Sequence, residues 1–164
     1  MAVREDAARD AARIREQTWG DAIPVDPVLI ARRLGIHVLD APLGPDTSGA
    51  LVKEREQDPR ILLNSSDSAN RKRFTCAHEI GHFVKRDDAP EEYEYVDLRG
   101  PLAATGSDPE ERYANAFAAC LLMPEDYVRQ LHNEGVADLE MAMRFDVSRE
   151  AMQNRLSALN LVRK

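Results

Sequence analysis

Apolar residues recur every three or four positions over most of the chain, which predicts a mainly helical protein. The first helix is expected over residues 2–19, where Ala, Arg and Glu are abundant. A shorter helix should begin after Asp26, with Pro27 in its first turn, and close at Gly35. The same spacing, with its cap residues, predicts further helices from about 67 to 86 and over 108–123, 125–133, 138–145 and 148–159.

Three short apolar stretches between these helices predict strands: residues 36–39, 49–53 and 60–63. A polar loop separates the last two, so a hairpin is expected, within a sheet of about three strands. The pattern is interrupted over 87–107 by two prolines and two glycines, with one short extended piece at 93–98. Loops of this length are more often functional or mobile than neutral. The order of elements predicts an α+β protein.

The chain has 164 residues, which fits one domain with its own core. We expect an N-terminal helix over 1–20, a core over 22–130 and a C-terminal helical pair over 136–164. A net charge of -7 argues against a general nucleic-acid binder. No secretory signal or membrane span is visible, and two cysteines make no disulfide framework, so a cytoplasmic protein is expected. We interpret Cys76 as a small core residue.

The chemistry is concentrated in the segment His78-Glu79-Ile80-Gly81-His82. One helical turn separates the two histidines, so both rings project from nearly the same face of a helix. Two neutral imidazoles in this arrangement can fill two positions of a tetrahedral zinc site. Glu79 would lie beside the ion, where it can act as the catalytic acid and base. The spacing therefore predicts a catalytic metal centre.

A third protein ligand is needed, because a catalytic zinc keeps three and leaves one position for water. Asp88 is one candidate, although Lys85 stands where related motifs have the glycine that turns the chain back to the metal. The other is Glu111, in the first turn of the helix over 108–123. We favour Glu111, because Asn115 lies one turn later and could bind the outer nitrogen of a ligating histidine.

Peptide hydrolysis also needs a donor that stabilises the oxyanion. The sequence does not rank the residues that could provide this donor or contact substrate: Tyr93, Tyr95, Arg99, Tyr113 and His132. An extended substrate would be expected to add a strand at an edge of the sheet. The metal would be Zn²⁺, although a site of two histidines and a glutamate also accepts ions such as Mn²⁺.

Two segments together carry a family resemblance: RKRFTCAHEIGHF at 71–83 and ERYANAFAACLLMP at 111–124. The chain resembles the ImmA/IrrE family of zinc-dependent metallopeptidases, and the flanks VDPVLIARRLGIHV and FDVSREAMQNRLSALNL are also similar to it. The resemblance covers about residues 22–160. It implies a zincin-like core with a small sheet, an active-site helix and a second helix that bears a ligand.

The resemblance also implies roles for individual residues. His78, His82 and Glu111 would bind the metal, and Glu79 would be the catalytic acid and base. Active members cleave helix-turn-helix transcriptional repressors, so a repressor is the expected substrate. The chain departs from the family in one place, since Tyr113 stands where many relatives have a second Glu before the Ala-Asn pair. This departure puts any role for a second acid in doubt.

A second hypothesis comes from a different functional class. The chain could be a metal-bearing regulatory protein or toxin–antitoxin component that acts by binding rather than by proteolysis. Its C-terminal pair over 138–159 has the spacing of a helix-turn-helix. We do not favour DNA contact there, because acidic residues dilute the basic ones and such pairs more often pack against a core. No membrane partner is expected.

Overall fold

The computed structural model describes residues 2–86, 92–98 and 108–163, without the side chains of Tyr95, Asp97 and Leu98. Seven helices and four strands lie within these ranges. The helices are α1 (Ala2–Thr18), α2 (Pro27–Arg33), α3 (Ala69–Lys85), α4 (Pro109–Leu122), α5 (Glu125–Asn133), α6 (Asp138–Phe145) and α7 (Arg149–Ala158). The strands are β1 (His37–Ala41), β2 (Thr47–Lys53), β3 (Arg60–Asn64) and β4 (Tyr93–Leu98).

Side-chain caps fix where most of the helices begin, as the sequence indicates. The Asp26 carboxylate accepts hydrogen bonds from the first turn of α2, and Asp108 accepts one from the first turn of α4. Ser148 caps α7 in the same way. Helix α3 begins slightly later than predicted, because Ser68 is its cap. The Asn64 side chain fixes the loop before β2, since its amide donates to the Gly44 and Thr47 carbonyls at 2.7 Å each.

The sheet has four strands in the order β1-β3-β2-β4, so the prediction of three strands was wrong. Strands β2 and β3 form the expected antiparallel hairpin, and β1 pairs with β3 in parallel. The additional strand is β4, which pairs antiparallel with β2. The sequence indicated only a short extended piece here, because the partner of β4 lies some forty residues upstream and pattern analysis does not identify distant partners. Strands β1 and β4 form the edges of the sheet.

Two glycines allow α3 to approach its neighbours closely. A Cβ atom at Gly49 of β2 would lie 2.5 Å from the Thr75 methyl group and 2.7 Å from the Leu62 carbonyl oxygen. A Cβ atom at Gly81 would lie 3.1 Å from Ala114 Cα and 3.1 Å from Phe117 Cβ. Helix α3 is therefore pressed between the sheet and α4, and Gly81 sets the distance between the two helices.

Two arginines attach the C-terminal pair α6–α7 to this core. Arg73 of α3 donates to the carbonyls of Val25 at 2.7 Å and Asp146 at 2.9 Å, the latter in the turn between α6 and α7. Arg155 of α7 is buried, and its Nε donates to the Met123 carbonyl at 3.0 Å. The pair also contributes buried apolar residues to the same hydrophobic cluster as α1–α4. Among the described residues, no helix combines the length and apolarity needed to cross a bilayer.

Candidate metal centre

Helix α3 places His78 and His82 on one buried face. Their rings are 2% and 3% exposed, and their Nε2 atoms lie 3.2 Å apart. The four-residue spacing on a helix brings them together, and the rings meet edge to face with centroids 4.9 Å apart. Two imidazole nitrogens are thus directed at one point in the interior, as the sequence predicts.

Helix α4 brings Glu111 to the same point. Its Oε1 lies 2.8 Å from His82 Nε2, and its Oε2 lies 3.2 Å from His78 Nε2. The hydrogen bonds to His78 and His82 hold the pKa of the Glu111 carboxyl well below its usual range. One ligand atom from each of the three residues lies within 4.8 Å of the others. Such a cluster is small enough for all three atoms to contact a single cation.

Asn115 lies one turn after Glu111 and contacts the outer face of the His78 ring. The distance from His78 Nδ1 to Asn115 Oδ1 is 2.8 Å. With the amide oxygen accepting, Nδ1 carries one proton, so release of the Nε2 proton that bonds Glu111 would leave a neutral ring whose Nε2 lone pair can bind a cation. Lone pairs and a negative charge that face one another are stabilised by a cation between them. The donor set therefore fits a divalent metal ion.

Glu79 lies between the two histidines and is fully buried. It follows His78 directly and precedes His82 by about one turn of α3. Cys76, two residues before His78, is also fully buried in the hydrophobic cluster, as predicted. Burial raises the pKa of its thiol, so Cys76 remains protonated and is a poor metal ligand.

A groove of about 1440 Å³ reaches this centre and includes His78, Glu111 and Asn115 in its lining. It extends away from the cluster between α3 and α4 on one side and α7 and the start of α1 on the other. Thr75 and Arg71 lie in this lining one and two turns before His78, respectively. Neither residue was predicted from the sequence, although their spacing from His78 on a helix places all three on one face.

Of the other predicted contacts, those whose side chains the structure describes do not line this groove. The Tyr113 side chain is buried, and its hydroxyl donates to Asp10 of α1 at 2.6 Å. Tyr93 begins β4 and lies beside Lys53, and neither Tyr93 nor His132 of α5 lines the groove. Asp88, Arg99 and the Tyr95 side chain lie outside the described residues.

The position of Tyr113 accounts for the departure from the family pattern. Its hydroxyl binds Asp10, and its ring packs against Phe117 and under the Lys85 ammonium group, 4.8 Å from the ring centroid. Burial and the hydrogen bond to Asp10 raise the pKa of the phenol. Tyr113 therefore joins α1 to α4 and leaves Glu111 as the acid of this segment at the cluster.

Comparison with known proteins agrees with this geometry. A family model described as the IrrE N-terminal-like domain, peptidase family M78, matches residues 31–157. The radiation response metalloprotease IrrE of Deinococcus radiodurans is 36% identical over 97 residues, which cover 54% of this chain and 27% of that protein. A solved structure named as a Mycobacterium tuberculosis transcriptional regulator superposes with a TM-score of 0.63 at 19% identity, covering 93% of this chain and 46% of the other.

The chain thus spans about a quarter of the curated relative and less than half of the solved structure. At 19% identity the structural likeness shows a shared fold. The family model, by contrast, matches well over half of the chain and includes both α3 and α4. The resemblance read from the two motifs is confirmed: this chain belongs to the ImmA/IrrE family of metallopeptidases, with an IrrE N-terminal-like domain.

Proposed function

We propose that this chain is a zinc-dependent endopeptidase whose metal ligands are His78, His82 and Glu111. The observation that carries the proposal is the convergence of two Nε2 atoms and one carboxylate from two different helices on a single point. Two histidines and a glutamate leave one position of a tetrahedral ion for water or substrate. Membership of a metallopeptidase family supports the same chemistry.

A bound Zn²⁺ would polarise the scissile carbonyl and make water more acidic. Glu79 would take a proton from the attacking water and deliver it to the leaving amine. The burial of Glu79 excludes bulk water, which strengthens its electrostatic interactions. Asn115 would hold the His78 ring in the tautomer that presents Nε2. The scissile segment would lie extended along β4, an edge strand that contacts α3.

The proposed substrate is a helix-turn-helix transcriptional repressor, which would make the protein a regulator of transcription in the cytoplasm. Support comes from the family, whose active members cleave such repressors. The curated relative is itself named a radiation response metalloprotease. The buried Arg155 and the attachment of α6–α7 to the core favour a packing role for that helical pair over DNA contact.

The test is co-expression of the chain with repressors encoded beside it, followed by mass spectrometry of any fragments. Glu79→Gln removes the base and retains the shape of the side chain, so we expect cleavage to fall by about a hundredfold to ten-thousandfold. The variant should still bind one Zn²⁺, which a competition titration with a chromophoric chelator would measure. The same titration with Mn²⁺ would establish which ion is preferred.

Three results would contradict this proposal. If Glu79→Gln cleaves the substrate at the wild-type rate, Glu79 is not the catalytic acid and base. If the wild-type protein binds no divalent ion, His78, His82 and Glu111 do not form a metal centre. A cellular effect that Glu79→Gln leaves unchanged would instead support the alternative, in which the protein acts by binding.

A further inference from the structure

The groove beside the metal centre has a larger volume than a catalytic ion and a single peptide bond would fill. Its volume is about 1440 Å³, whereas pockets for small ligands typically measure about 300–1,000 Å³. Along α3 it follows the helix from Ser68 to His78, a rise of about 15 Å. An extended chain covers that length with about five residues. The groove therefore has the dimensions of a site for a polypeptide segment.

Apolar and polar side chains both line the groove, and the apolar ones recur along its length. The apolar side chains come from several helices, among them Phe74 of α3, Ala116 and Ala119 of α4, and Ala151, Ala158 and Leu159 at α7. Charges of both signs also line it, including Arg71 and Arg112 as well as Glu125 and Glu150. Because these charges oppose one another, the groove has no strong preference for an acidic or a basic partner. Recognition would depend on apolar side chains.

The α7 wall of the groove is fixed in place before any partner binds. Met152 and Leu156 are buried in the core on the inner face of α7. Arg155 holds the same helix to the end of α4 through the Met123 carbonyl. Arg73 holds the preceding turn through the Asp146 carbonyl and carboxylate. A rigid wall lowers the entropic cost of binding a flexible chain.

From these observations we infer that α7 forms a substrate-binding wall. The groove takes an apolar segment of the protein substrate next to the scissile bond, and the outer face of α7 at Asn154 and Ala158 contacts it. The inference rests on the proposed peptidase function, because the groove is continuous with the metal centre through His78 and Glu111. It assigns the C-terminal helical pair to substrate selection.

The experiment uses a probe that binds the metal without being cleaved. A peptide hydroxamate chelates the ion, and tails of about six residues extend it on its N-terminal or its C-terminal side. Each tail is made in two forms, one rich in Leu and Ala and one of Gly and Ser. Fluorescence anisotropy measures the Kd of each probe for the full zinc-loaded chain. On one of the two sides, we expect the apolar tail to bind about tenfold or more tighter than the Gly–Ser tail.

Two matched pairs of variants locate the binding surface on α7. Ala158→Glu places a charged side chain in the groove, whereas Ser157→Glu places the same side chain on a neighbouring exposed position outside the lining. Asn154→Glu and Gln153→Glu form the second pair. We expect Ala158→Glu and Asn154→Glu to remove most of the gain from the apolar tail. Ser157→Glu and Gln153→Glu should retain it, and all four should keep the wild-type affinity for zinc.

The outcomes separate this inference from the proposed function. If the apolar and Gly–Ser tails bind equally well on both sides, or if both members of each pair weaken binding equally, α7 is not a substrate wall. The peptidase proposal would survive that result. If the parent hydroxamate, without any tail, fails to bind the zinc-loaded protein, the metal centre itself is wrong and both proposals fail together.

Discussion

The helix pairs α3–α4 and α6–α7 use different means to pack. Between α3 and α4 a glycine allows close contact, and the face beside it buries two histidines and a glutamate. Between α6 and α7 the buried residues are ordinary apolar ones such as Met141, Phe145 and Leu156. The outer side of α6 exposes Leu139 and Met143, which are 55% and 73% accessible.

This difference separates a functional pair from a supporting one. Burying ionisable groups costs free energy unless they are paired or bind a metal. Apolar packing would stabilise α3–α4 at lower cost, so the retention of His78, Glu79 and His82 points to chemistry. Helices α6 and α7 bury one ionisable side chain, Arg155, which is paired with the Met123 carbonyl. Their role follows from where they are attached, beside the groove.

The largest effect is expected at Glu111, the proposed ligand on α4. Mutation of a residue that only hydrogen-bonds a metal ligand typically lowers metal affinity by about tenfold to a hundredfold. Glu111 would bind the ion directly, so Glu111→Gln should lower zinc affinity by about a hundredfold or more. Chelator competition would measure it. Glu110→Gln is the matched control, because Glu110 lies in the same turn and pairs with Arg86 at 2.6 Å. If the two variants have equal affinity for zinc, Glu111 is not a metal ligand.

Asn115 should have the next largest effect, also within α3–α4. Asn115→Ala removes the acceptor for His78 Nδ1, so the ring loses its fixed tautomer, and zinc affinity should fall by about tenfold to a hundredfold. Asn115→Asp keeps an oxygen acceptor and should restore most of the affinity. If Ala and Asp at this position bind zinc equally well, the contact does not position the ring.

Arg73 connects the two helix pairs, and its loss should affect stability more than metal binding. Arg73→Met leaves the carbonyls of Val25 and Asp146 without this donor, which should lower the free energy of unfolding by about 1–3 kcal/mol. Urea denaturation would measure this change. Arg144→Met is the control, because its exposed pair with Glu140 contributes only about 0.5 kcal/mol. If both variants lose a similar free energy of unfolding, the Arg73 contacts stabilise the fold no more than an exposed ion pair does.

The smallest effect is expected on the exposed face of α6. Met143→Lys replaces a side chain that is 73% accessible, so stability should change by no more than about 0.5 kcal/mol. Zinc affinity should not change. Met141→Lys, at a fully buried position two residues earlier, should unfold the pair and provides the contrast. A large loss in Met143→Lys would mean that this face is covered in the native protein.

Local sequence signals predicted most of the helices and the two histidines of the centre, and they favoured Glu111 and Asn115 as their partners. Asp26, Asp108 and Ser148 identified helix starts, because caps act through hydrogen bonds to the next few residues. His78 and His82 were predictable for the same local reason. The fourth strand was underestimated, since β4 is specified by pairing with the distant β2. The oxyanion donor was not identified, because no local signal ranks its candidates, of which Tyr113 binds α1.

The sequence by itself determined which residue types carry the chemistry and where most of the helices begin. Those properties depend on neighbours within one or two turns. Only the tertiary structure decided that Glu111 meets both histidines and that Asn115 contacts His78. Only the fold placed α7 along the groove. These contacts join residues more than twenty-eight positions apart in the sequence. Their distances depend on how closely the helices pack, as at Gly81, and no local pattern encodes that packing.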